Sequence, residues 1–408
     1  MISTATSAQS IMQRADIMAG FSEDAGRLTR AYLTPEHRQA HAQLAQWMQE
    51  AGLDTWQDSV GNQWGRKVSR NPTQPTLVIG SHSDTVTNAG KYDGNLGVLL
   101  AIDALSSLKD IEFPFHIDVV AFADEEGTRF NTTLIGSSAV AGEFNPDWLV
   151  IKDASGVSIA QAMMEFGLDP NQAGKDARTT DELLGYLEVH IEQGPVLETK
   201  NLPVGIVTGI AGAKRFQFQV TGVAGHAGTV PVDLRQDALC GAAEMINFVE
   251  RYARQAEIVA TVGICETVKG AINVIPGETH FTLDVRSSNQ ETLERSVNEI
   301  LLGINKIAKS RELSVNSQKV YQAQAVECDS DLQQRWGNVV EQVTQQEPCY
   351  LPSGAGHDAM AMAAITPIGM LFVRCDKGIS HNPAENVLVE DVDVALSCLI
   401  NMIKTFHP

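Results

Sequence analysis

The amino-acid sequence predicts an α/β protein in which a smaller α+β domain interrupts a larger domain. A short apolar run at residues 76–80, a buried helix at 96–108 and a second apolar run at 116–123 give the order strand, helix, strand, which is typical of a parallel sheet. The pattern changes near residue 212 to strands and helices of an antiparallel type, and the α/β pattern resumes near residue 328. We therefore predict a larger domain formed by residues 1–211 and 328–408, and an inserted domain formed by residues 212–327.

The larger domain is predicted to contain an amphipathic helix near its amino terminus and another at its carboxyl end. Thr34 and Pro35 have the residue types of an N-cap and first helical position, and Gly52 provides the stop. Between them, apolar residues recur at helical spacing: Leu44, Trp47, Met48 and Ala51. The last helix is predicted near residues 390–405.

The inserted domain is predicted to be ferredoxin-like, with an antiparallel sheet covered by helices. Its strands are expected at residues 215–221, 257–265, 278–286 and 314–321, and its helices at 233–254 and 291–309. The strand at 215–221 alternates polar and apolar residues, as expected for a sheet with one buried face.

Composition limits the kinds of partner and cellular location. With 408 residues and 43% apolar residues, the chain can form two hydrophobic cores, and it has no apolar tract long enough to cross a bilayer. The formal charge of −20 disfavours binding to nucleic acid and to anionic membranes. The six cysteines are dispersed without a CxxC pair, and the amino terminus lacks a secretory signal, so we expect reduced thiols in a cytoplasmic protein.

Residues that commonly bind metals concentrate in five short segments: 81–85, 91–95, 124–127, 188–194 and 378–383. The first three follow predicted strands or precede a helix, where open α/β sheets place their sites. Histidine nitrogens with carboxylate oxygens suit zinc, manganese or cobalt. Each histidine alone is more often an ordinary core or loop residue, and acidic neighbours such as Asp124 to Glu126 are more often a solvated turn. Together the segments favour a site for two divalent ions, with Asp84 placed to orient the imidazole of His82.

Seven longer motifs carry a family resemblance. They are Gly80-Ser-His-Ser-Asp-Thr-Val86, Asp93-Gly, Asp124-Glu-Glu-Gly-Thr-Arg-Phe130, His190-Ile-Glu-Gln-Gly194, Gly225-His-Ala-Gly-Thr229, Ser353-Gly-Ala-Gly-His-Asp358 and Gly378-Ile-Ser-His-Asn-Pro-Ala-Glu385. The sequence resembles the hydantoinase/carbamoylase branch of the M20 metallopeptidase superfamily, which includes N-carbamoyl-L-amino-acid hydrolases and allantoate amidohydrolases. The resemblance spans nearly the whole chain and implies a zinc-peptidase-like catalytic domain with an inserted lid and dimerisation domain.

The resemblance implies a role for each predicted ligand. The metal itself is expected to be zinc or manganese, and cobalt or nickel would also suit the site. Asp93 would bridge two ions. His82 and His190 would complete one ion's site, and Glu126 and His381 the other. Glu125 would be the general base. Many M20 peptidases have a carboxylate at the position of His190, so this histidine indicates the amidohydrolase branch.

The resemblance also implies residues that contact the substrate. Gln193 would lie in the substrate pocket, and His226 would donate a hydrogen bond to the developing oxyanion, in the site of the partner subunit. Asn273 and Arg286 would bind the substrate, and Gly356 would offer a backbone contact. From the residues alone, His226 is more often a turn histidine in a Gly-rich loop, and Arg286 is more often a strand-end surface charge paired with Asp284 or Glu278.

The expected activity is hydrolysis of a carbon–nitrogen bond other than a peptide bond, in the ureido group of a small carboxylate, with release of ammonia and carbon dioxide. The segments 209–216, 224–231 and 372–378 resemble allantoate-type members, whereas Ala213 stands where a glutamine is expected, so an N-carbamoyl-L-amino-acid hydrolase is the alternative. An M20 aminoacylase or dipeptidase is disfavoured by His190. A non-catalytic homodimer that binds metal or a metabolite is disfavoured because Glu125 and all five ligands are present. We expect a homodimer formed by the inserted domain, which opens and closes over the substrate.

Overall fold

The computed structural model describes residues 4–407, and these residues form two structural units. The first runs from the start of the described chain to Thr208 and continues through Cys328–Leu351 and from Ala355 onward. The second comprises Gly209–Glu327 and Pro352–Gly354. The sequence-based prediction placed the inserted domain at residues 212–327.

The secondary structure consists of the following helices and strands. The helices are α1 Thr4–Ala19, α2 Pro35–Glu50, α3 Asn95–Ser107, α4 Ile135–Val140, α5 Ile159–Phe166, α6 Val196–Lys200, α7 Ala238–Ala256, α8 Gln290–Ser310, α9 Ser330–Thr344, α10 Ala359–Met362 and α11 Val389–Thr405. The strands are β1 Asp54–Gln57, β2 Gln63–Lys67, β3 Thr76–His82, β4 His116–Phe122, β5 Leu183–Ile191, β6 Val204–Ile210, β7 Gly212–Thr221, β8 Gly225–His226, β9 Val259–Thr261, β10 Cys265–Thr267, β11 Val274–Ile275, β12 Glu278–Ser287, β13 Ser314–Ala323, β14 Val326–Glu327, β15 Tyr350–Ser353 and β16 Ile368–Val373.

The first unit is built on a mixed sheet with the strand order β1-β2-β4-β3-β5-β16-β6. Its centre is parallel, because β3 pairs in parallel with both β4 and β5, and β5 pairs in parallel with β16. Its margins are antiparallel, at β1–β2, β2–β4 and β16–β6. The strands β3 and β4 are buried along their whole length, which explains their continuous apolar sequence.

The helix α3 forms the centre of the first unit's core, because every residue from Asn95 to Leu105 is buried. The predicted helix near the amino terminus is α2. Thr34 caps it by accepting a hydrogen bond from the backbone N–H of His37, and Gly52, which follows its end, has a φ of 85°.

The second unit is a five-stranded antiparallel sheet with the order β10-β12-β7-β13, to which β9 adds by pairing with β12. The helices α7 and α8 bury their apolar faces against it, around Phe216, Phe281 and Ile300. A separate two-stranded ribbon pairs β8 with β11, and β14 pairs with the end of β6 at Gly209 and Ile210.

The predicted α/β class is confirmed, and the differences from the predicted elements have local causes. The helix expected at 233–254 begins at Ala238, because Asp237 caps it by accepting from the N–H groups of Leu239 and Cys240. The strand expected at 257–265 begins only at Val259, because Glu257 adopts a left-handed φ of 53° after the helix, and a second short strand follows at Cys265–Thr267. No helix within residues 4–407 is both long and apolar enough to span a membrane.

Candidate active site

The ends of three parallel strands bring the predicted metal ligands of the first unit together. His82 is the last residue of β3, His190 lies at the end of β5, and Glu126 follows the end of β4. Asp93 lies in the loop that leads from β3 into α3. Because β3, β4 and β5 are parallel neighbours, their carboxyl ends lie along one edge of the sheet, where polar side chains can converge.

His82, Asp93 and His190 form the first cluster of donor atoms, and all three side chains are buried. The Nε2 atoms of His82 and His190 lie 3.6 and 3.2 Å from Oδ1 of Asp93. Each imidazole directs its Nδ1 to a backbone carbonyl oxygen, His82 to Asp84 at 3.1 Å and His190 to Ile191 at 2.9 Å. An Nδ1–H that donates to these carbonyls leaves the lone pair on Nε2, pointing into the cluster.

Asp93, Glu126 and His381 form the second cluster. Nε2 of His381 lies 3.1 Å from Oδ2 of Asp93 and 3.3 Å from Oε1 of Glu126. The two oxygens of Asp93 therefore face different histidines, Oδ1 in the first cluster and Oδ2 in the second. A carboxylate in this arrangement can share its oxygens between two ions.

The donor set fits divalent cations. Oδ1 of Asp93 is buried and makes no hydrogen bond of regular geometry with any residue that the structure describes, although two imidazole nitrogens face it. Around the clusters lie further buried carboxylates, whose mutual repulsion is large at low dielectric. Burial, together with Asp84 and Glu125, holds the pKa of Asp124 well above its ordinary value. Cations in the two clusters would relieve this repulsion.

Gly94 shows how closely the chain packs at the first cluster. Its φ is 64°, and an added Cβ would overlap the imidazole ring of His82. Both the left-handed backbone and the contact with His82 require glycine at the residue after Asp93.

Glu125, the predicted base, lies beside both clusters, in a group with His82 and Glu126. Burial raises the pKa of its carboxyl group well above the ordinary value, an effect that His82 opposes and Glu126 adds to. Asp84 fixes the turn, because its two carboxylate oxygens accept the backbone N–H groups of Glu125 and Glu126 at 3.0 and 3.1 Å. Its carboxylate lies 3.6 Å from Nδ1 of His82, so Asp84 contacts the imidazole mainly through its backbone oxygen.

Gln193 and Gly356 also lie at this site. Nε2 of Gln193 donates to Oδ2 of Asp93 at 3.0 Å and to the Ser380 hydroxyl at 3.1 Å. A Cβ on Gly356 would lie 3.4 Å from Oε1 of Glu125. Gln193 and His381 have φ values of 55° and 54°, a conformation that costs free energy for residues other than glycine and that clusters at functional sites.

Two buried acidic residues at the site had no role in the sequence analysis, although Glu385 ends a motif quoted there and Glu188 begins the segment 188–194. Glu385 accepts the backbone N–H groups of Tyr92 and Asp93, and burial, followed by the charge of Asp93, raises its pKa to about 7. Glu188 accepts hydrogen bonds from Ser81, Tyr186 and the N–H of Ala359. The signal for each was its closeness to a predicted ligand, since Glu188 is two residues before His190 and Glu385 four residues after His381.

His357 and Asp358, interpreted from the sequence as structural neighbours, are buried next to the clusters. The imidazole of His357 packs edge-on against that of His190, with 4.5 Å between ring centroids. Glu188, His190 and His357 could themselves hold an ion. However, both carboxylate oxygens of Glu188 already accept hydrogen bonds, and Nε2 of His190 points towards Asp93. We therefore infer that Glu188 and His357 hold the imidazole of His190 in place and bind no ion.

The second unit contains the remaining predicted residues. His226 and Asn273 lie side by side on the β8–β11 ribbon, where the N–H of Ala227 donates to the backbone oxygen of Asn273 at 3.0 Å. Both side chains are exposed. Nδ1 of His226 accepts the N–H of Gly228 at 3.0 Å, so its proton is on Nε2, which makes that atom a donor.

Arg286 lies near the end of β12, on the face of the sheet that carries polar side chains. Its Nε and Nη2 donate to the carboxylate of Asp284 at 3.2 and 3.1 Å, and its Nη1 donates to the backbone oxygen of Gly354 at 2.6 Å. Arg215 also donates to Asp284, at 3.0 Å. The ion pair between Arg286 and Asp284, which the sequence analysis gave as the alternative role of Arg286, is therefore present. Since Arg286 offers five N–H groups, the pair leaves donors free at the end of its guanidinium group.

Comparisons with known proteins agree with one another. Residues 78–405 match the family described as peptidase family M20/M25/M40. The N-carbamoyl-L-amino acid amidohydrolase of Geobacillus stearothermophilus is 40% identical over 384 residues, which cover 93% of this chain and 94% of that protein. The allantoate deiminase of Arabidopsis thaliana is 39% identical over 419 residues, which cover 94% and 79%. The crystal structure of a hydantoinase/carbamoylase family amidase from Burkholderia multivorans superposes with a TM-score of 0.90 at 30% identity, covering 97% of each chain.

Proposed function

This chain belongs to peptidase family M20/M25/M40, and from that premise we propose that it hydrolyses the ureido group of a small carboxylate, with allantoate as the first candidate. Its relatives are amidohydrolases, and the chain is a hydrolase of carbon–nitrogen bonds. One observation carries the proposal: the side chains of His82, Asp93 and His190 converge at one edge of the sheet, with Glu125 beside them. His190 is the ligand that, by resemblance, separates this branch from the peptidases.

The residues of the two clusters would hold two divalent ions, zinc or manganese, which when bound polarise a water molecule and the substrate carbonyl. Glu125 accepts the proton of the attacking water and returns it to the leaving nitrogen. Asp84 supports both roles because it fixes the backbone of Glu125 and Glu126. The ureido carbon–nitrogen bond breaks, ammonia leaves, and the N-substituted carbamate that remains decomposes to carbon dioxide and the free amine.

Substrate recognition is assigned to both units. Arg286 presents donors at the end of its guanidinium group, which suit the substrate carboxylate. Asp284 is then a support for that group, because it binds only one edge of it. Asn273 and Gln193 contribute amide groups to the substrate, Gly356 contributes a backbone contact, and the Nε2–H of His226 donates to the oxyanion.

The preference for allantoate is based on the segments 209–216, 224–231 and 372–378. An N-carbamoyl-L-amino acid is the second candidate, and Ala213 favours it, because a glutamine is expected there in an allantoate-type enzyme. Relatives of the two kinds have similar identity to this chain, 39% and 40%. Identity therefore does not separate the two substrates.

The test is a panel of substrates offered to the protein loaded with manganese or zinc. Ammonia release from allantoate, from several N-carbamoyl-L-amino acids and from one N-acetyl amino acid is compared as kcat/KM. We expect the highest value for allantoate and none above background for the acetyl compound. A higher value for a carbamoyl amino acid would establish the second candidate, and a dominant acetyl or peptide activity would contradict the assignment to ureido substrates.

We further propose that the chain forms a homodimer through its second unit. Large apolar side chains are unusually exposed near the β8–β11 ribbon: Val223 is 60% exposed, Val232 74%, Leu234 73% and Ile272 105%. Exposed apolar groups that lie close together often mark a surface for association. Light scattering of the purified protein gives the test, with a mass of two chains expected and a monomer at micromolar concentration contradicting the proposal.

A further inference from the structure

Glu385 contacts the loop of the bridging ligand across most of the length of the chain. Its Oε1 accepts the backbone N–H of Tyr92 at 2.8 Å and that of Asp93 at 3.1 Å. The side chain is only 4% exposed. A buried oxygen that accepts two N–H groups fixes the position of both donors, because a buried N–H without an acceptor costs free energy.

Glu385 also belongs to the loop that carries His381. Its own N–H donates to the backbone oxygen of Asn382 at 3.0 Å, which closes a turn directly after His381. The Ser380 hydroxyl lies 3.3 Å from Oε2 of Glu385 and 2.9 Å from Oδ2 of Asp93. The carboxyl group of Glu385 thus connects the loop of Asp93 with the loop of His381. The hydroxyl of Ser380 connects the same two loops, because it contacts the side chains of both Asp93 and Glu385.

Gly90 shows that the fit of the two loops is close. A Cβ added at Gly90 would overlap the carboxyl carbon and oxygen of Glu385. The φ of Gly90 is not in the left-handed region, so the need for glycine here comes from the contact and not from the backbone. The chain at residues 90–93 therefore lies directly against the carboxylate.

We propose that Glu385 is the positioning residue of the second donor cluster: it holds the backbone of Asp93 in register with His381, so that one ion can bind to both. The inference rests on the proposed two-ion centre and adds to it a residue that binds no ion and no substrate. Removal of such supporting hydrogen bonds typically weakens metal binding by about 10- to 100-fold.

The test is calorimetric titration of metal-free protein with Mn²⁺, without substrate, so that it does not depend on the proposed activity. Glu385→Ala should bind at least one Mn²⁺ per chain about 10-fold or more weakly than the wild type. Glu385→Gln keeps an oxygen that can accept both N–H groups and should restore the affinity to within about 3-fold. Glu347→Gln, on an exposed loop, is the matched control and should leave the titration unchanged.

Gly90→Ala provides an independent route, because it leaves Glu385 in the chain but pushes its carboxylate away. It should weaken Mn²⁺ binding as Glu385→Ala does, and it keeps the test decisive if Glu385→Ala does not fold. Circular dichroism of the metal-free proteins checks folding. Unchanged Mn²⁺ affinity in folded Glu385→Ala or in folded Gly90→Ala would overturn the proposal, and so would a Glu385→Gln titration as weak as that of the alanine variant.

If the positioning role is correct and the proposed reaction is wrong, the Mn²⁺ titrations still separate the variants while no ureido substrate is turned over. If the reaction is correct and the positioning role is wrong, turnover is present and all variants bind Mn²⁺ like the wild type. The two proposals therefore fail in different ways.

Discussion

At the scale of single residues, the account depends on Glu125 acting as an acid and base and not as a ligand. The two clusters that share Asp93 each contain three donor residues, and neither includes Glu125. Two ions can therefore be bound without Glu125 as a ligand. A buried carboxyl group whose pKa is raised holds a proton more readily than an exposed one, as transfer to a leaving nitrogen requires.

Glu125→Gln should lower kcat by about 100- to 10,000-fold, because the amide has the same shape and cannot take up the proton. The number of ions bound per chain should not change. Ammonia release and metal content measured on the same preparation check both statements, with Glu347→Gln as the control. Loss of an ion in Glu125→Gln would mean that the residue is a ligand.

Arg286→Ala should raise KM much more than it lowers kcat. A carboxylate that is bound equally in the ground state and the transition state contributes to KM alone, and loss of a charged pair of hydrogen bonds is expected to raise KM by about 10- to 100-fold. Steady-state kinetics give the answer, and Arg295→Ala on the exposed side of α8 is the control. A collapse of kcat at unchanged KM would contradict the assignment.

Residue types and spacing predicted the segments that carry the ligands, and the family resemblance implied how the ligands group. In the structure His82, His190 and Glu126 lie together because each follows or ends a buried strand. They did not predict the part that Glu385 takes, since its contact with Asp93 joins loops that are distant in sequence and depends on the packing of both. The sequence also did not predict that His226 and Asn273 lie side by side. The strands β8 and β11 are only two residues long, which is too short for a periodic pattern.

At the scale of elements, α2 supports the ligand-bearing end of β3 through two buried histidines. Nε2 of His41 lies 2.7 Å from the hydroxyl of Ser83, the residue after His82, and Nε2 of His37 lies 3.3 Å from the same hydroxyl. Burial, followed by the nearby Arg30, lowers the pKa of His41 to about 3. Burial and then the charge of His41 hold the pKa of His37 well below its ordinary value.

These histidines should make the protein less stable in acid. At a pH below about 6.5 these histidines are protonated in the unfolded chain but stay neutral in the folded chain. The free energy of unfolding therefore falls as the pH decreases from about 6.5 towards 3. For His41 the loss between pH 7 and pH 5 is about 2 kcal/mol. Urea unfolding at both pH values should show a smaller loss in His41→Gln than in the wild type, with the exposed His407→Gln as the control. An equal loss in His41→Gln would contradict the buried neutral state.

The element pattern also shows where sequence periodicity is reliable. The long amphipathic helices α8 and α11 begin and end within about a residue of their predicted bounds, because their apolar faces are regular. Short strands such as β9 and β10, which each pair with β12 over three residues, lie within a single apolar stretch of the sequence. Residues 262–264 belong to neither strand, and the N–H of Ile264 donates to the hydroxyl of Thr282 and not to a backbone oxygen.

At the scale of the whole molecule, the proposal assigns the site's residues to two units and to two chains. Glu125 lies in the first unit and His226 in the second. If His226 acts in the site of the partner subunit, each active site of a dimer needs residues from both chains.

Mixed dimers of Glu125→Gln and His226→Ala test this arrangement. Each variant alone should be nearly inactive. Each mixed dimer has one of its two sites with both residues intact, so purified mixed dimers should recover about half of the wild-type activity per dimer. Co-expression with two different affinity tags and ammonia release from the doubly purified protein provide the measurement. No recovery in isolated mixed dimers would place His226 in the site of its own chain.

The central claim is that two ions held by His82, Asp93, Glu126, His190 and His381 are required for hydrolysis of a ureido group. The most direct measurement adds Mn²⁺ stepwise to metal-free protein and follows ammonia release from allantoate and from N-carbamoyl-L-amino acids against the Mn²⁺ bound per chain. We predict that ammonia release rises with bound Mn²⁺ and saturates at two ions per chain. Turnover at full rate in the metal-free protein, or no turnover of any ureido substrate with two ions bound, would contradict the account.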